Sequence, residues 1–486
     1  MEQERVLGVA TWGDPSRWFY AEYTSGGRSE RAFSTLSILR EVESPVKILV
    51  VVLDTLADYE TVKAGDYRGV VESVKSYVGQ YLCGVEAEVE VLPGVYERRG
   101  SGGERLLFES DPRSEFLPLL TYIVLEKALE HGATSIALDV SHGMNFMPTL
   151  ALRACEEAAA ALAAARVRRV ELRVYQSDPY PAGIRAPPRS SEDACKPEQG
   201  GEPPTLNYNL ILRRAFEPWD LARYISYESQ QALKVLTDPR DCKLDGAQNL
   251  LGELALPLLG AFRLGALPQL ALLAKAAPPD KLGEALKKAV ECWRSKRGAR
   301  ESGSGVLKVS SGTKFAAGFR ALIHARAVLE GARKLLGLTE GSVPLEEAAV
   351  TLDELKRLRD LVRGSRVVGE LVNREISKLD YLRERWTKPR RKPGILASSL
   401  KLLIGRWVKP RSGEWARLSE LQLGSAPKES KGDESVFRRD FIAHAGFHTD
   451  VLEARLAERG LEVRVRSDQW ERVKEVLCEA TLEGTA

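Results

Sequence analysis

No Cys-x-x-Cys pair, no His-Glu-x-x-His and no Gly-x4-Gly-Lys-[Ser/Thr] loop occurs in this chain of 486 residues. The first absence argues against a zinc ribbon or thioredoxin-type site, the second against a metallohydrolase helix, the third against a P-loop engine. The nearest phosphate-loop candidate, Ser310-Ser311-Gly312-Thr313-Lys314, lacks a Lys directly after its Gly. No Gly-x-Gly-x-x-Gly follows the first apolar run, Val6–Ala10. Neither charge sign dominates: 71 Lys+Arg stand against 68 Asp+Glu, a net of +3. That excludes a histone-like protein whose gross charge supplies its affinity. Long apolar runs are also missing. The richest stretch, 250–277, is broken by Glu253, Arg263 and Lys275, so it reads as buried helices and no membrane partner is expected. The charged start, Met1 to Arg5, is unlike a signal peptide. Six cysteines are scattered, no two closer than Cys155 and Cys195. They read as reduced structural thiols of a cytoplasmic protein. Only 3 methionines and 29% charged residues suit a heat-adapted chain.

What is present first alternates between strand and helix patterns. Val6–Ala10, Lys47–Leu53, Glu86–Leu92, Thr134–Asp139 and Val167–Tyr175 read as strands. Leu117–Leu129 and the alanine-rich 150–165 read as helices. The expected fold is an α/β, Rossmann-like, mostly parallel sheet, with ligands bound beyond the strands' carboxyl ends. Residues 178–204 hold seven of the 24 prolines and read as a long exposed loop. Leu206–Leu212 then reads as a returning strand. From about 225 the pattern is helical, with apolar spacing of three and four in Lys314–Leu335, Leu345–Leu361 and Val436–Leu456. Leu461–Arg466 alternates as a late strand does. The expected organisation is an α/β domain over 1–216, a mainly helical connecting region over 217–310 and an all-α domain over 311–486.

With only 5 histidines, their contexts matter. Asp139-Val140-Ser141-His142-Gly143-Met144-Asn145 lies between a strand and a helix, where free N–H groups and the helix dipole attract phosphate. The same residues also suit a plain N-capping turn. Thr11-Trp12-Gly13-Asp14-Pro15-Ser16-Arg17-Trp18 follows the first strand and offers hydroxyls, backbone and stacking rings; a turn with its tryptophans in the core is the plainer alternative. Thr55 follows the second strand on the same edge. In Phe437-Arg438-Arg439-Asp440-Phe441-Ile442-Ala443-His444, Asp440 and His444 are spaced to meet on one helix face. Arg with His suits RNA cleavage by its own 2′-hydroxyl, the His moving a proton and the Arg holding phosphate. A structural His beside solvated charge fits the spacing too. Residues 383–411 carry ten basic residues against one acid, Glu384, with Trp386 and Trp407 among them, either a nucleic-acid path or a solvated loop.

Together these segments resemble the CARF–HEPN ancillary ribonucleases of type III CRISPR systems. The 11–18 turn resembles that family's Trp-Gly-x-Pro-x-x-Trp opening. Residues 139–145 resemble its Asp-x-(Thr/Ser)-His-Gly-x-Asn ligand loop. Residues 439–446 resemble its Arg-Asn-x-x-x-His motif and following Ala-Gly, with Asp440 where Asn is usual and Arg438 a rival for Arg439. The resemblance implies a CARF sensor followed by a HEPN ribonuclease domain. Trp12, Gly13, Asp14, Ser16, Thr55, Ser141, His142, Gly143 and Asn145 would bind a cyclic oligoadenylate, with cyclic tetra-adenylate the expected ring. Arg439, Asp440 and His444 would cut single-stranded RNA, leaving a 2′,3′-cyclic phosphate. The resemblance further implies no cofactor and no metal, and a homodimer or higher oligomer acting in antiviral defence. A competing expectation is a non-enzymatic nucleotide sensor that binds DNA through 383–411, although that stretch has no clear helix-turn-helix.

Overall fold

The computed structural model describes residues 4–63, 66–99, 104–181, 188–197, 202–228, 233, 235–238, 246–278, 280–302, 306–339, 341–387, 406–407, 413–419, 422–423 and 434–482. Eight strands make the main sheet: β1 (Val6–Trp12), β2 (Ala21–Ser25), β3 (Arg28–Ala32), β4 (Lys47–Leu53), β5 (Glu88–Leu92), β6 (Ser135–His142), β7 (Val170–Ser177) and β8 (Thr205–Phe216). Their spatial order is β3-β2-β8-β7-β6-β1-β4-β5. From β7 through β6, β1 and β4 to β5 every pairing is parallel, whereas β8 runs antiparallel to β7 and β3 to β2. The chain leaves β1 toward β4 on one side and reaches β6 on the other. The carboxyl ends of β1, β4 and β6 therefore border one topological switch point, where such sheets bind ligands.

Alternation along the strands fills two cores. Val6, Ala10 and Trp12 of β1 pack toward α1 (Leu36–Glu43) and α2 (Tyr67–Gly79), while Leu7 and Val9 pack toward α3 (Phe116–Glu130) and α4 (Met147–Arg166). The second core does not stop at α4. It continues without a break into α5 (Leu256–Leu264), α6 (Leu267–Ala276), α7 (Lys281–Lys296), α8 (Ala317–Leu336), α9 (Arg366–Thr387), α10 (Glu434–Ala443) and α11 (Trp470–Glu479). The alanine run explains the join. Ala158 to Ala165 are buried, and their small side chains let α8 approach so closely that a Cβ at Gly331 would strike the Ala164 carbonyl. Within this contact the buried Glu157 of α4 accepts from Arg320 (2.6 and 2.9 Å) and pairs with His324 Nε2 (2.8 Å), both on α8. Tyr227 Oη holds His324 Nδ1 at 2.9 Å.

Four expectations change. The later part is not all-α: strands 350–351, 460–465, 452–457 and 416–417 form a sheet. The helix expected over Val436–Leu456 ends at Ala443, and Leu452–Ala457 is a strand whose two-residue alternation was hidden behind the preceding helical spacing. The region 217–310 is helical over α5 to α7, but Arg297–Glu301 and Val306–Ser311 form a hairpin that lies against Arg105–Phe108. Finally, Cys83 is bonded to Cys195, with Cα atoms 5.3 Å apart across 112 residues of sequence, and Cys292 is also disulfide-bonded. Only Cys155 and Cys478 are free among the described residues. The expectation of reduced thiols therefore fails, because sequence spacing does not reveal which distant loops fold together.

Burial alone would raise the Glu157 carboxyl, but Arg320 and His324 outweigh it and hold it at about 2. Glu157→Ala leaves a buried cation without its partner, so we expect a loss of about 3–5 kcal/mol in denaturant melts. The group is depressed in the folded chain. Its contribution is therefore complete above the free carboxyl's value of about 4.3 and fades as pH falls toward about 2, closing the gap between wild type and variant.

Candidate functional site

At the switch point two loops interlock through their glycines. Gly13 N–H donates to the His142 carbonyl at 2.8 Å. A Cβ on Gly13 would meet the Met144 side chain, and one on Gly143 would meet Thr11 Oγ1 and Pro148. Close backbone approach is what only glycine permits. His142 stacks on Trp18 with ring centroids 4.1 Å apart, and Trp18 meets the buried Trp12 edge-on at 4.7 Å. Burial pushes His142 down to about 3, so its imidazole is neutral at ordinary pH. Its Nε2 and the Trp12 Nε1 are both sealed from solvent without a hydrogen-bond partner among the described residues.

Several of the expected ligand residues are occupied in holding the loops. Asp14 Oδ1 accepts from Ser16 N–H (3.1 Å), Ser16 Oγ (2.8 Å) and Tyr77 Oη (2.7 Å). Ser141 Oγ donates to the buried Asp139 at 2.6 Å and accepts from Ser177 N–H at 2.9 Å. Asp139 also accepts from Thr35, and burial raises its carboxyl. Thr55 is buried, and its carbonyl accepts from Arg98 at 3.2 Å. Before it, Asp54 binds Arg297 (2.7 Å), both fully buried, and the Gly94 N–H (2.9 Å). What faces outward is Asn145, in a left-handed conformation with φ 54°, together with Met144 and Arg17. Met144, Trp18 and Arg17 were not among the expected ligand residues; Trp18 alone had a signal, the second ring of its motif. The strap 188–197 backs the turn. Arg189 N–H donates to Ser16 O (2.9 Å), its guanidinium donates to Pro15 O (2.8 Å) and lies 3.5 Å over the Phe33 ring, and Cys195 ties the strap to Cys83.

The second cluster lies at the end of α10. Gly446 N–H donates to Phe441 O and Ala445 N–H to Ile442 O, both at 3.0 Å. This is a Schellman stop, with His444 at the C-cap and Ala445 left-handed at φ 47°. Gly446, at φ 74°, lies so close to α6 that a Cβ would strike Gln269 and Ala266, and Gln269 Nε2 donates to Gly446 O at 2.9 Å. The Ala-Gly after the histidine thus fixes where the imidazole sits. Asp440 does not meet His444 side chain to side chain. It pairs with the exposed Arg439 at 3.3 Å, while His444 Nδ1 pairs with Glu375 of α9 at 3.1 Å. Arg438 points elsewhere, held by Glu479 of α11 at 2.5 Å. Within 383–411, Arg383 pairs with Asp380 at 2.6 Å; residues 388–405 and 408–412 lie outside the described residues. Among the described residues no group of three or more His, Cys, Asp or Glu could hold a metal ion, and no helix is long and apolar enough to cross a membrane.

Residues 7–179 match the family model of the CRISPR system endoribonuclease Csx1 CARF domain, and 365–469 match that of the Csx1 HEPN domain. The chain belongs to the Csx1 family. It is 31% identical over 178 residues to a CRISPR system endoribonuclease Csx1 of Methanocaldococcus jannaschii, a match covering 36% of this chain and 37% of that one. The chain thus spans little more than a third of that curated relative's length. The interlocked turns fall inside the Csx1 CARF match, and α10 with its Schellman turn falls inside the Csx1 HEPN match.

Breaking the 83–195 bond should cost about 2–4 kcal/mol. Cys195→Ser is expected to melt earlier than wild type under non-reducing conditions and to melt no earlier once both are reduced. Gly446→Ala should strain the left-handed turn and push on Gln269, costing about 1–3 kcal/mol in the same melts.

Proposed function

We propose that this Csx1-family chain is an endoribonuclease switched on by a cyclic oligoadenylate in type III CRISPR defence. The observation that carries the reading is the end of α10. There a Schellman turn presents the half-exposed imidazole of His444 at the end of the helix that carries the exposed guanidinium of Arg439, with Arg438 withdrawn to Glu479. In this reading 1–216 senses, 217–310 connects and 311–486 cuts. Two chains pair, and the ring lies across their two-fold axis against the outward rim at Asn145 and the amino end of α4. Trp12, Gly13, Asp14, Ser16, Thr55, Ser141, His142 and Gly143 shape that half-site, chiefly by holding its loops. A ring of four adenylates matches a two-fold pocket, which favours cyclic tetra-adenylate. Activation requires the ring to bind the active arrangement more tightly than the idle one.

At the second site, His444 takes the proton of a 2′-hydroxyl, and the freed oxygen attacks the adjacent phosphorus. The bond from phosphorus to the 5′-oxygen breaks, that oxygen takes a proton from solvent, and a 2′,3′-cyclic phosphate remains. Arg439 holds the phosphate as charge builds, with Asp440 restraining the guanidinium until substrate arrives. The need for a 2′-hydroxyl makes RNA rather than DNA the substrate, and no metal takes part in these steps.

The test is cleavage of single-stranded RNA by the full chain with cyclic tetra-adenylate and EDTA. Wild type should cut, whereas His444→Ala and Arg439→Ala should each lose at least about a hundredfold. Arg438→Ala should keep most of its activity and melt earlier. Cleavage that persists in His444→Ala, or that needs added metal, overturns the reading.

A further inference from the structure

The geometry points to Glu375 as the positioning residue that sets which nitrogen of His444 carries the proton. The inference rests on the ribonuclease reading and deepens it. Glu375 lies on α9, far from the Arg-x4-His motif in sequence, and its side chain is only 4% exposed. Its Oε1 takes His444 Nδ1 at 3.1 Å and Lys378 Nζ at 2.8 Å, and its Oε2 takes the same Lys378 Nζ at 2.8 Å. Arg374 reaches Oε1 at 3.3 Å and also donates to the Ala443 carbonyl at 3.3 Å. One turn of α9 thus grips the carbonyl end of α10 and its C-cap side chain together. Burial would favour a neutral Glu375, but the bonds from His444 and Lys378 outweigh it and hold the carboxyl below its ordinary range. An ionised carboxylate can only accept, so it keeps the proton on His444 Nδ1. That leaves the Nε2 lone pair as the proton acceptor, and Nε2 has no partner among the described residues. A base oriented by a buried carboxylate at its other nitrogen is a recurrent arrangement for moving protons. Here the orienting acid comes from a different helix.

The other charged groups around the imidazole do not replace it. Asp440 is turned to Arg439. His448 bonds the Asp450 N–H through its own Nδ1 at 3.2 Å, and burial lowers it. Lys378 and Arg374 are donors and cannot accept the Nδ1 proton. In the sequence, Arg374, Glu375 and Lys378 look like an exposed charge cluster on a helix face, with nothing to link them to a histidine 69 residues later.

The test compares wild type with Glu375→Gln, which keeps the shape and removes the charge, and with Glu375→Ala as a second variant. With activator and single-stranded RNA, Glu375→Gln should lower kcat by about ten- to a hundredfold and leave KM within about twofold. Nitrogen NMR of the histidine-labelled full chain, with His444 assigned by its loss in His444→Ala, should show the proton on Nδ1 in wild type. That population should fall in both variants. Wild-type kcat together with an unchanged Nδ1 signal in folded Glu375→Gln or Glu375→Ala overturns the inference while leaving the ribonuclease reading intact. Cleavage that survives His444→Ala overturns that reading, and the role of Glu375 in catalysis with it.

Discussion

A carboxylate with no access to water, Glu157, joins the α/β part of this chain to the rest. It sits on the helix that starts directly after the Gly143 loop, and its partners Arg320 and His324 belong to a helix of the later part. A buried charge demands its counter-charge, so the two helices cannot separate without exposing or stranding an ion. From His324 the contact passes to Tyr227, whose N–H donates to Thr481 O at 3.2 Å beyond α11. From α11 it passes through Glu479 to Arg438 of α10. The line from the Gly143 loop to the Schellman turn after α10 is therefore made of packed helices and paired charges. Such a chain of contacts can transmit a displacement only by moving as rigid pieces.

The switch-point end is built the same way. Most of its polar side chains are spent on each other: Asp14 caps its own turn, Ser141 bridges Asp139 and Ser177, and Asp54 holds Arg297. What remains outward is Asn145, with Met144 and Arg17 beside it in the two loops. A pocket with its loops already fixed loses less entropy when a ligand binds. At the other end the same economy holds, because Gly446, Gln269 and Glu375 all serve to place one imidazole.

Much of this could be read in the chain itself. The five parallel strands, the helices over 116–130 and 147–166, the switch-point loops and the Arg439–His444 motif follow from alternation, glycine placement and helical spacing, which are local properties. The strand at Leu452–Ala457 was missed because its alternation follows a helix that an αL turn ends without a proline. The β2–β3 hairpin and the hairpin at 297–311 were missed because short polar strands bury too little to leave a pattern. The disulfide at Cys83 was misread because 112 residues separate its ends.

The chain's own residue order was enough for the family and for a CARF part followed by a HEPN part, since each is written in a few neighbouring positions. Which charges pair with which was left to the packing of the helices. It turned Asp440 away from His444 and onto Arg439, withdrew Arg438 to Glu479, and supplied Glu375 and Glu157 from helices remote in the chain. Pairings between buried charges depend on which helix faces pack together. That packing is settled by a core of many small contributions spread along the whole chain, which no short motif encodes.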